Sequence, residues 1–281
     1  MTDHGGPAVA FLALALFAGY ELGAWRLRGR GDRWPPVRDV GFGLGIAAAI
    51  FPEAPGFTGH VLQHVLVGML APLLLVLARP MTLLLRAAPA ARRRLKPVLG
   101  AWPVAVLVFP PVAAVLEAGS LWLLYRTGLF AATGREPGLH ALVHAHVFLT
   151  GLLFTTSVCR LDPMRHRSGL GSRAAALVGA AAAHAVLAKT LYRTPPPGTV
   201  LAVADRQAGA ELMYYGGDVV ELGLALVVAL SWYAARGRAE ARARRRGQPP
   251  TWMPGRRAGS FSALRMISRT TGAVSPRPRS R

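Results

Sequence analysis

The chain has 281 residues, of which 52% are hydrophobic, and it carries a formal net charge of +20. This combination excludes a soluble globular domain and is typical of a polytopic membrane protein with basic loops. The single cysteine, Cys159, excludes an internal disulfide, a CxxC redox pair and a thiolate metal cluster. A bound metal would therefore need histidine, methionine, carboxylate or backbone ligands.

Seven apolar segments predict an all-α fold with seven transmembrane helices. In chain order they are residues 7–25, 36–51, 58–85, 97–125, 138–158, 172–192 and 208–233. A helix of about 20 residues crosses the hydrocarbon core. The second segment is the weakest because Asp39 and several glycines interrupt it, and the fourth should kink at Pro103, Pro110 and Pro111.

Arginine and lysine alternate between the predicted loops. The basic loops are 26–35, 86–96 and 159–171, and the loops with few basic residues are 52–57, 126–137 and 193–207. Because basic loops stay in the cytoplasm, this predicts an extracytoplasmic N-terminus and a cytoplasmic C-terminus in a bacterial cell membrane. The first segment follows Asp3 rather than a basic region, so we interpret it as a retained span.

The chain changes character after residue 235. Residues 236–281 contain thirteen arginines and one acid, Glu240. We therefore divide the chain into a transmembrane domain at 1–235 and a disordered basic cytoplasmic tail at 236–281. We expect this tail to contact anionic lipid rather than a specific nucleic acid.

Histidines inside the apolar segments predict a metal site near the outer surface. Counting about 1.5 Å per residue places a polar layer about 9–12 Å below that surface. Ionisable residues within a membrane are functional candidates, and imidazole is a common metal ligand. Within the fifth segment His140 and His144 share a helix face, whereas His146 points about 120–160° away. The candidate ligands are His60, His64, His140, His144, His146 and His184.

The seventh segment adds a polar face to the same layer. Glu211, Tyr214, Asp218 and Glu221 lie within an arc of about 80° on a helix, and we expect this arc to face the bundle interior. Methionine in this region offers a soft ligand. The supporting candidates are Glu117, Asp205, Glu211, Met213, Tyr214 and Asp218.

Several short motifs, in order, resemble the CtaG type of cytochrome c oxidase assembly factor, the seven-span caa3 family. They are HVLQH at His60–His64 followed by APLLLVLARP, HALVHAHVF at His140–Phe148, DP at Asp162–Pro163, HA at His184–Ala185 and DRQAGA at Asp205–Ala210. The resemblance covers roughly residues 7–235. The chain departs from the family pattern at Val147, Ala210 and Tyr214, where that family usually has phenylalanine, glycine and tryptophan.

The resemblance implies a membrane-embedded, non-enzymatic assembly factor that aids copper insertion into a haem–copper oxidase. Its partners would be oxidase subunits and a copper chaperone. The seven-span caa3 family is unrelated to the single-span, cysteine-dependent copper chaperone that shares the CtaG name.

The residues by themselves leave other functions open. A seven-span zinc hydrolase could use three histidines with Asp205 or Glu211 to activate water on a lipid. A copper or proton transporter would need polar residues through both leaflets, and a helix bundle could also ligate haem iron through histidine pairs.

Overall fold

The computed structural model describes residues 6–162 and 168–245, and within these ranges the chain forms helices and connecting turns without any strand. This confirms the predicted all-α fold for the described residues. The helices are α1 (Gly6–Gly29), α2 (Val37–Ala49), α3 (Gly56–Gln63), a π-helix (His64–Leu70), α4 (Ala71–Ala78), α5 (Pro80–Ala87), α6 (Pro89–Leu99), α7 (Trp102–Leu107), α8 (Pro110–Arg126), α9 (Leu129–Thr133), α10 (Pro137–Cys159), α11 (Leu170–Arg193) and α12 (Val203–Arg245).

Five helical stretches of the described chain are long and apolar enough to cross a membrane. They are Ala8–Gly29, Gly56–Ala87, Pro137–Cys159, Leu170–Arg193 and Val203–Arg242. Each coincides with a predicted segment, and together they indicate a multi-pass membrane protein. The other two predicted spans form shorter helices, so the count of seven and the orientation stay predictions.

The second predicted span contains only the 13 residues of α2, which packs along α4. A Cβ atom at Gly45 would lie 2.9 Å from the Leu75 side chain, so glycine permits this close approach. The fourth predicted span is divided among the end of α6, α7 and α8. Its main break is at Phe109, which has extended backbone angles because the residue before a proline disfavours the helical region.

The predicted cytoplasmic loop 86–96 is largely helical instead. Helix α6 begins at Pro89 and carries the exposed side chains of Arg92, Arg93, Arg94 and Lys96. A proline at the first position of a helix has a favourable φ and needs no hydrogen-bond acceptor, which explains where α6 starts.

The third predicted span is not a uniform helix. Its middle, His64–Leu70, is a π-helix in which Ala71 donates its N–H to the carbonyl of Leu66. Pro72 lacks an N–H, and its ring would clash with the carbonyl of Gly68 in an ordinary α-helix, so a widened turn before it relieves the clash. The span breaks again at Arg79, whose left-handed conformation (φ 55°) separates α4 from α5.

Three groups of buried apolar side chains hold the helices together. Residues of α4, α8, α10, α11 and α12, including Leu73 and Phe154, form one group. A second, including Phe57, Tyr125 and Met213, lies beside the candidate metal ligands. In a third, Tyr20 of α1 stacks on Phe42 of α2 with ring centroids 4.0 Å apart.

Helix α12 continues to Arg245, so the first ten residues of the predicted tail, 236–245, are helical in the structure. These ten residues are mostly alanine and arginine and contain no proline, a composition that favours helix. The rest of the predicted tail lies outside the described residues, as do Asp3, Pro163 and His166.

Candidate metal centre

The structure brings a carboxylate and three histidines together at the start of the third span. Glu53 Oε1 lies 3.0 Å from His60 Nδ1, and its Oε2 lies 3.2 Å from His140 Nε2. The His144 ring centroid lies 4.2 Å from that of His140 and 5.8 Å from that of His60. We call these four residues the outer histidine group.

Three members of this group have the spacing of metal ligands. One ligand atom from each of Glu53, His60 and His144 lies within 4.8 Å of the others. Two atoms that bind the same ion with bonds of about 2.0–2.2 Å lie about 4 Å apart or less. Small side-chain movements would therefore let these three atoms bind one ion. The outer histidine group can therefore supply two imidazoles and a carboxylate to one ion.

Sequence reasoning missed Glu53, which lies in the short connection between α2 and α3. Its hydrogen bond with His60 holds the pKa of this carboxyl below its ordinary value of 4.5, with a smaller effect in the same direction from the neighbouring His140 and His144. Glu53 is therefore ionised at neutral pH, as a carboxylate metal ligand would need to be. The signal that could have found it is that Glu53 is the only acid in loop 52–57, close to His60.

The two remaining interior histidines form a separate pair. His64 lies in the π-helix and His184 in α11, and their ring centroids are 6.1 Å apart. Both side chains are buried, and the Nε2 atom of each has no hydrogen-bond partner among the described residues. We call them the inner histidine pair. The histidines predicted to form one metal site therefore lie in two neighbouring groups in the structure, and His146 belongs to neither group.

His184 fits against α12 only because that helix has a glycine at the contact. A Cβ atom at Gly217 would lie 2.2 Å from Cε1 of His184. One turn further along the same helix, Oε1 of Glu221 lies 3.4 Å from Nδ1 of His184. His184, Glu221, Glu117 and Met69 line a cavity of about 20 Å³, which is room for about one water-sized species.

Two adjacent residues at the start of α12 fix the helices that carry these histidines. The carboxylate of Asp205 accepts hydrogen bonds from the backbone N–H of Phe57 at 2.8 Å and of Thr58 at 3.1 Å, so it caps α3. Arg206 donates to the carbonyl of Leu191 at 3.2 Å, near the end of α11. Asp205 is a predicted site residue, and its role in the structure is to position α3.

None of the other predicted site residues belongs to either histidine group. His146 is exposed on α10, because two residues turn a helix by about 200° from His144. Glu211 lines an open groove of about 350 Å³ with Tyr214, over whose ring Lys189 Nζ lies at 5.2 Å. The remaining two differ in burial: Met213 is fully buried in the apolar core, and Asp218 is half-buried.

Comparison with known proteins finds curated relatives that are similar over part of their length and one family that matches most of this chain. An uncharacterized protein of Mycobacterium leprae is 32% identical over 167 residues, which are 54% of this chain and 25% of the relative. An uncharacterized protein of Mycobacterium tuberculosis is 32% identical over 166 residues, which are 53% of this chain and 25% of that protein. The matched region thus spans only a quarter of these curated relatives. No solved structure matches the chain.

The family comparison covers most of the chain, including both histidine groups. The sequence model of the cytochrome c oxidase caa3 assembly factor family matches residues 18–235. This range ends within α12, after the last candidate ligand, and it contains the motifs on which the resemblance is based. The chain therefore belongs to the cytochrome c oxidase caa3 assembly factor family.

Proposed function

We propose that this chain binds copper at the outer histidine group and supplies it to a haem–copper oxidase during assembly. The observation that carries this proposal is the spacing of Glu53, His60 and His144, whose ligand atoms lie within 4.8 Å of one another. Membership of an oxidase assembly family supports the choice of recipient.

The exposure of the outer histidine group suits a transient cargo. The side chain of Glu53 is 32% exposed and that of His140 is 35% exposed, whereas that of His60 is 9% exposed. An ion held there has a buried anchor and an open side through which a donor or recipient can approach. Imidazole and carboxylate ligands bind copper yet allow transfer to a site of better geometry.

The proposal includes a topology of seven spans with the outer histidine group on the extracytoplasmic side. The exposed arginines of α6 and the basic residues after Tyr233 would then contact the anionic cytoplasmic leaflet. We further propose that oxidase subunits and a copper chaperone are the partners, since a metal carrier needs both a recipient and a donor.

The zinc hydrolase is less well supported than copper delivery. Its proposed general bases were Asp205 and Glu211. Both carboxylate oxygens of Asp205 accept hydrogen bonds from the start of α3, and Glu211 lines a groove with tyrosines rather than histidines. Neither carboxylate is arranged to deprotonate a water on a metal held by the outer histidine group.

Two measurements test the proposed function. Metal analysis of the purified protein, loaded with copper and desalted, should show bound copper that falls in the His60→Ala, His144→Ala double variant. In cells, the same variant should leave oxidase subunits made but short of copper. His146→Ala is the matched control, because its side chain is exposed on the other face of α10.

The decisive outcome concerns the oxidase. Full copper loading of the oxidase in the double variant would overturn the proposed function, whereas a deficit with normal levels of the assembly factor supports it. Zinc retained in place of copper by the purified protein, together with a normal oxidase, would favour the hydrolase.

A further inference from the structure

The inner histidine pair has the arrangement of a second metal site, with chemistry different from that of the outer histidine group. We propose that His64 and His184 together bind one monovalent copper ion in a nearly linear, two-nitrogen site. The site is buried, since the two residues are 5% and 6% exposed. This inference rests on the proposed copper role for the source of the ion, but its ligands are separate.

The carboxylate beside His184 prepares that imidazole as a ligand. Nδ1 lies 3.4 Å from Oε1 of Glu221, and a carboxylate in this position favours the neutral tautomer that has its proton on Nδ1 and its lone pair on Nε2. Metal-binding histidines commonly have such a carboxylate behind the ring. The Nε2 atom that this arrangement frees is buried and has no partner among the described residues.

The spacing of the two rings fits one ion between them. The centroids of His64 and His184 are 6.1 Å apart. A metal–nitrogen bond of about 2.0 Å plus about 1.1 Å from each nitrogen to its ring centre gives about 6.2 Å for two imidazoles on opposite sides of an ion. The Nε2 atoms of His64 and His184 make no hydrogen bond with each other or with any other described residue, so both are free to face an ion.

The surroundings favour monovalent copper over zinc. Zinc takes four ligands in structural sites, whereas soft, low-coordinate copper accepts two nitrogens and tolerates an apolar shell. Met69, whose thioether is a soft ligand, lines the cavity that also contains His184. The cavity is otherwise lined by three alanines, three leucines and Phe154, together with Thr155 and the carboxyl groups of Glu117 and Glu221.

The position of the pair also indicates the order of binding. His64 lies one helical turn after His60 on the same helix, so the pair is the next set of nitrogens inward from the exposed outer histidine group. The outer histidine group accepts the ion, and the inner histidine pair then holds it where water and oxidants have little access.

The test is a titration of the purified full chain with Cu(I) under anaerobic, reducing conditions. A chromophoric Cu(I) chelator competes with the protein, so its absorbance reports how many Cu(I) ions the protein binds and how tightly. The chain should bind two Cu(I) per protein. His60→Ala, His144→Ala should retain one tightly bound Cu(I), and X-ray absorption of this ion should show two nitrogen neighbours. His64→Ala, His184→Ala should retain the outer ion instead. Ag(I) should compete for the inner ion, and Zn(II) should not.

Two milder variants keep the test independent of any folding defect in the double variants. Glu221→Leu leaves both histidines in place but removes the group that orients His184, and it should weaken the inner site about 10–100-fold. Gly217→Ala should have a similar effect because its Cβ atom would displace the His184 ring. Gly216→Ala is the matched control, since a Cβ atom there comes no closer than 3.5 Å to a neighbouring atom.

The outcomes separate the two proposals. A single Cu(I) per chain that is lost in His60→Ala, His144→Ala and unaffected by Glu221→Leu would overturn the inner site and leave copper delivery standing. An inner ion that persists while the outer histidine group binds no copper would overturn the proposed function and support the inner site. A Zn(II) ion that displaces inner Cu(I) would also overturn the two-coordinate site.

Discussion

The side chain of Asp205 caps a helix that begins almost 150 residues earlier: its Oδ1 accepts the backbone N–H of Thr58 at 3.1 Å and the hydroxyl of Thr58 at 2.7 Å. The Thr58 hydroxyl also lies 2.9 Å from the backbone carbonyl of Asp205. Gly56, immediately before this turn, has a φ of 85°, a conformation that glycine adopts readily. This contact orients the helix that carries His60.

Replacement of Asp205 by alanine should therefore destabilise the protein and weaken metal binding together. Loss of a helix cap costs about 1 kcal/mol. Asp205→Asn is the matched control, because the amide oxygen can still accept one of the backbone N–H groups. We expect the thermal unfolding midpoint and the copper affinity to fall in the order wild type, Asp205→Asn, Asp205→Ala. Equal values for all three proteins would show that the cap does not position α3.

Glu53 should give the fold a defined acid dependence. Its folded-state pKa lies below the ordinary value of 4.5, so its ionised form stabilises the fold at pH values above 4.5. This contribution is lost as the pH falls through the lowered pKa. The stability difference between wild type and Glu53→Gln should thus shrink as the pH falls from about 4.5 through the lowered pKa.

Thermal unfolding in detergent over that pH range measures this difference. Glu136→Gln is the control, since Glu136 is an exposed glutamate at the start of α10. A difference that keeps its full size well below pH 4.5 would contradict a pKa that Glu53 passes through on acidification.

Gly151 should be intolerant of any side chain. A Cβ atom there would lie 2.0 Å from the carbonyl oxygen of Gly68 in the π-helix. Because that neighbour is backbone, Gly151→Ala must push α10 away from the π-helix, and we expect a large loss of folded protein by size-exclusion chromatography and thermal unfolding. Gly179→Ala should be neutral or stabilising by about 0.5–1 kcal/mol, because a Cβ atom there would have no neighbour within 4 Å in the described part of the chain. Similar behaviour of both variants would argue against the close helix contact.

The two short predicted spans can be tested with paired reporter fusions. Fusions after Arg33 and after Ala54 flank α2, and fusions after Arg94 and after Gly134 flank α7 and α8. If both segments cross the membrane, each pair reports opposite sides, with Arg33 and Arg94 in the cytoplasm. A pair that reports the same side would remove that segment from the count of spans.

Hydropathy was sufficient to predict the long helices but not their interruptions. Five of the seven apolar segments coincide with long apolar helices because the length needed to cross a bilayer is a strong constraint. The π-helix and the break at Arg79 depend on how Pro72 and the neighbouring helices are accommodated. The helical residues 236–245 were missed because charge was given more weight than helix propensity.

The candidate site was predictable only in part. Helix periodicity separated His146 from His144, and the structure agrees with that rotation. Periodicity cannot fix how one helix is rotated against another, so the division into an outer histidine group and an inner histidine pair could not be foreseen. Glu53 was missed because it lies in a connection, where no periodic pattern marks it.

The π-helix sets the angular phase of the third span. In an uninterrupted α-helix, His64 and Leu73 are nine residues apart and would point to opposite sides, about 180° apart. The extra residue in a π-turn reduces that angle to about 80°. His64 can thus face His184 while Leu73 packs in the core that contains Leu177 of the same helix, α11. A single added residue thereby lets one stretch of chain direct its ligands and its packing side chains into the same interior.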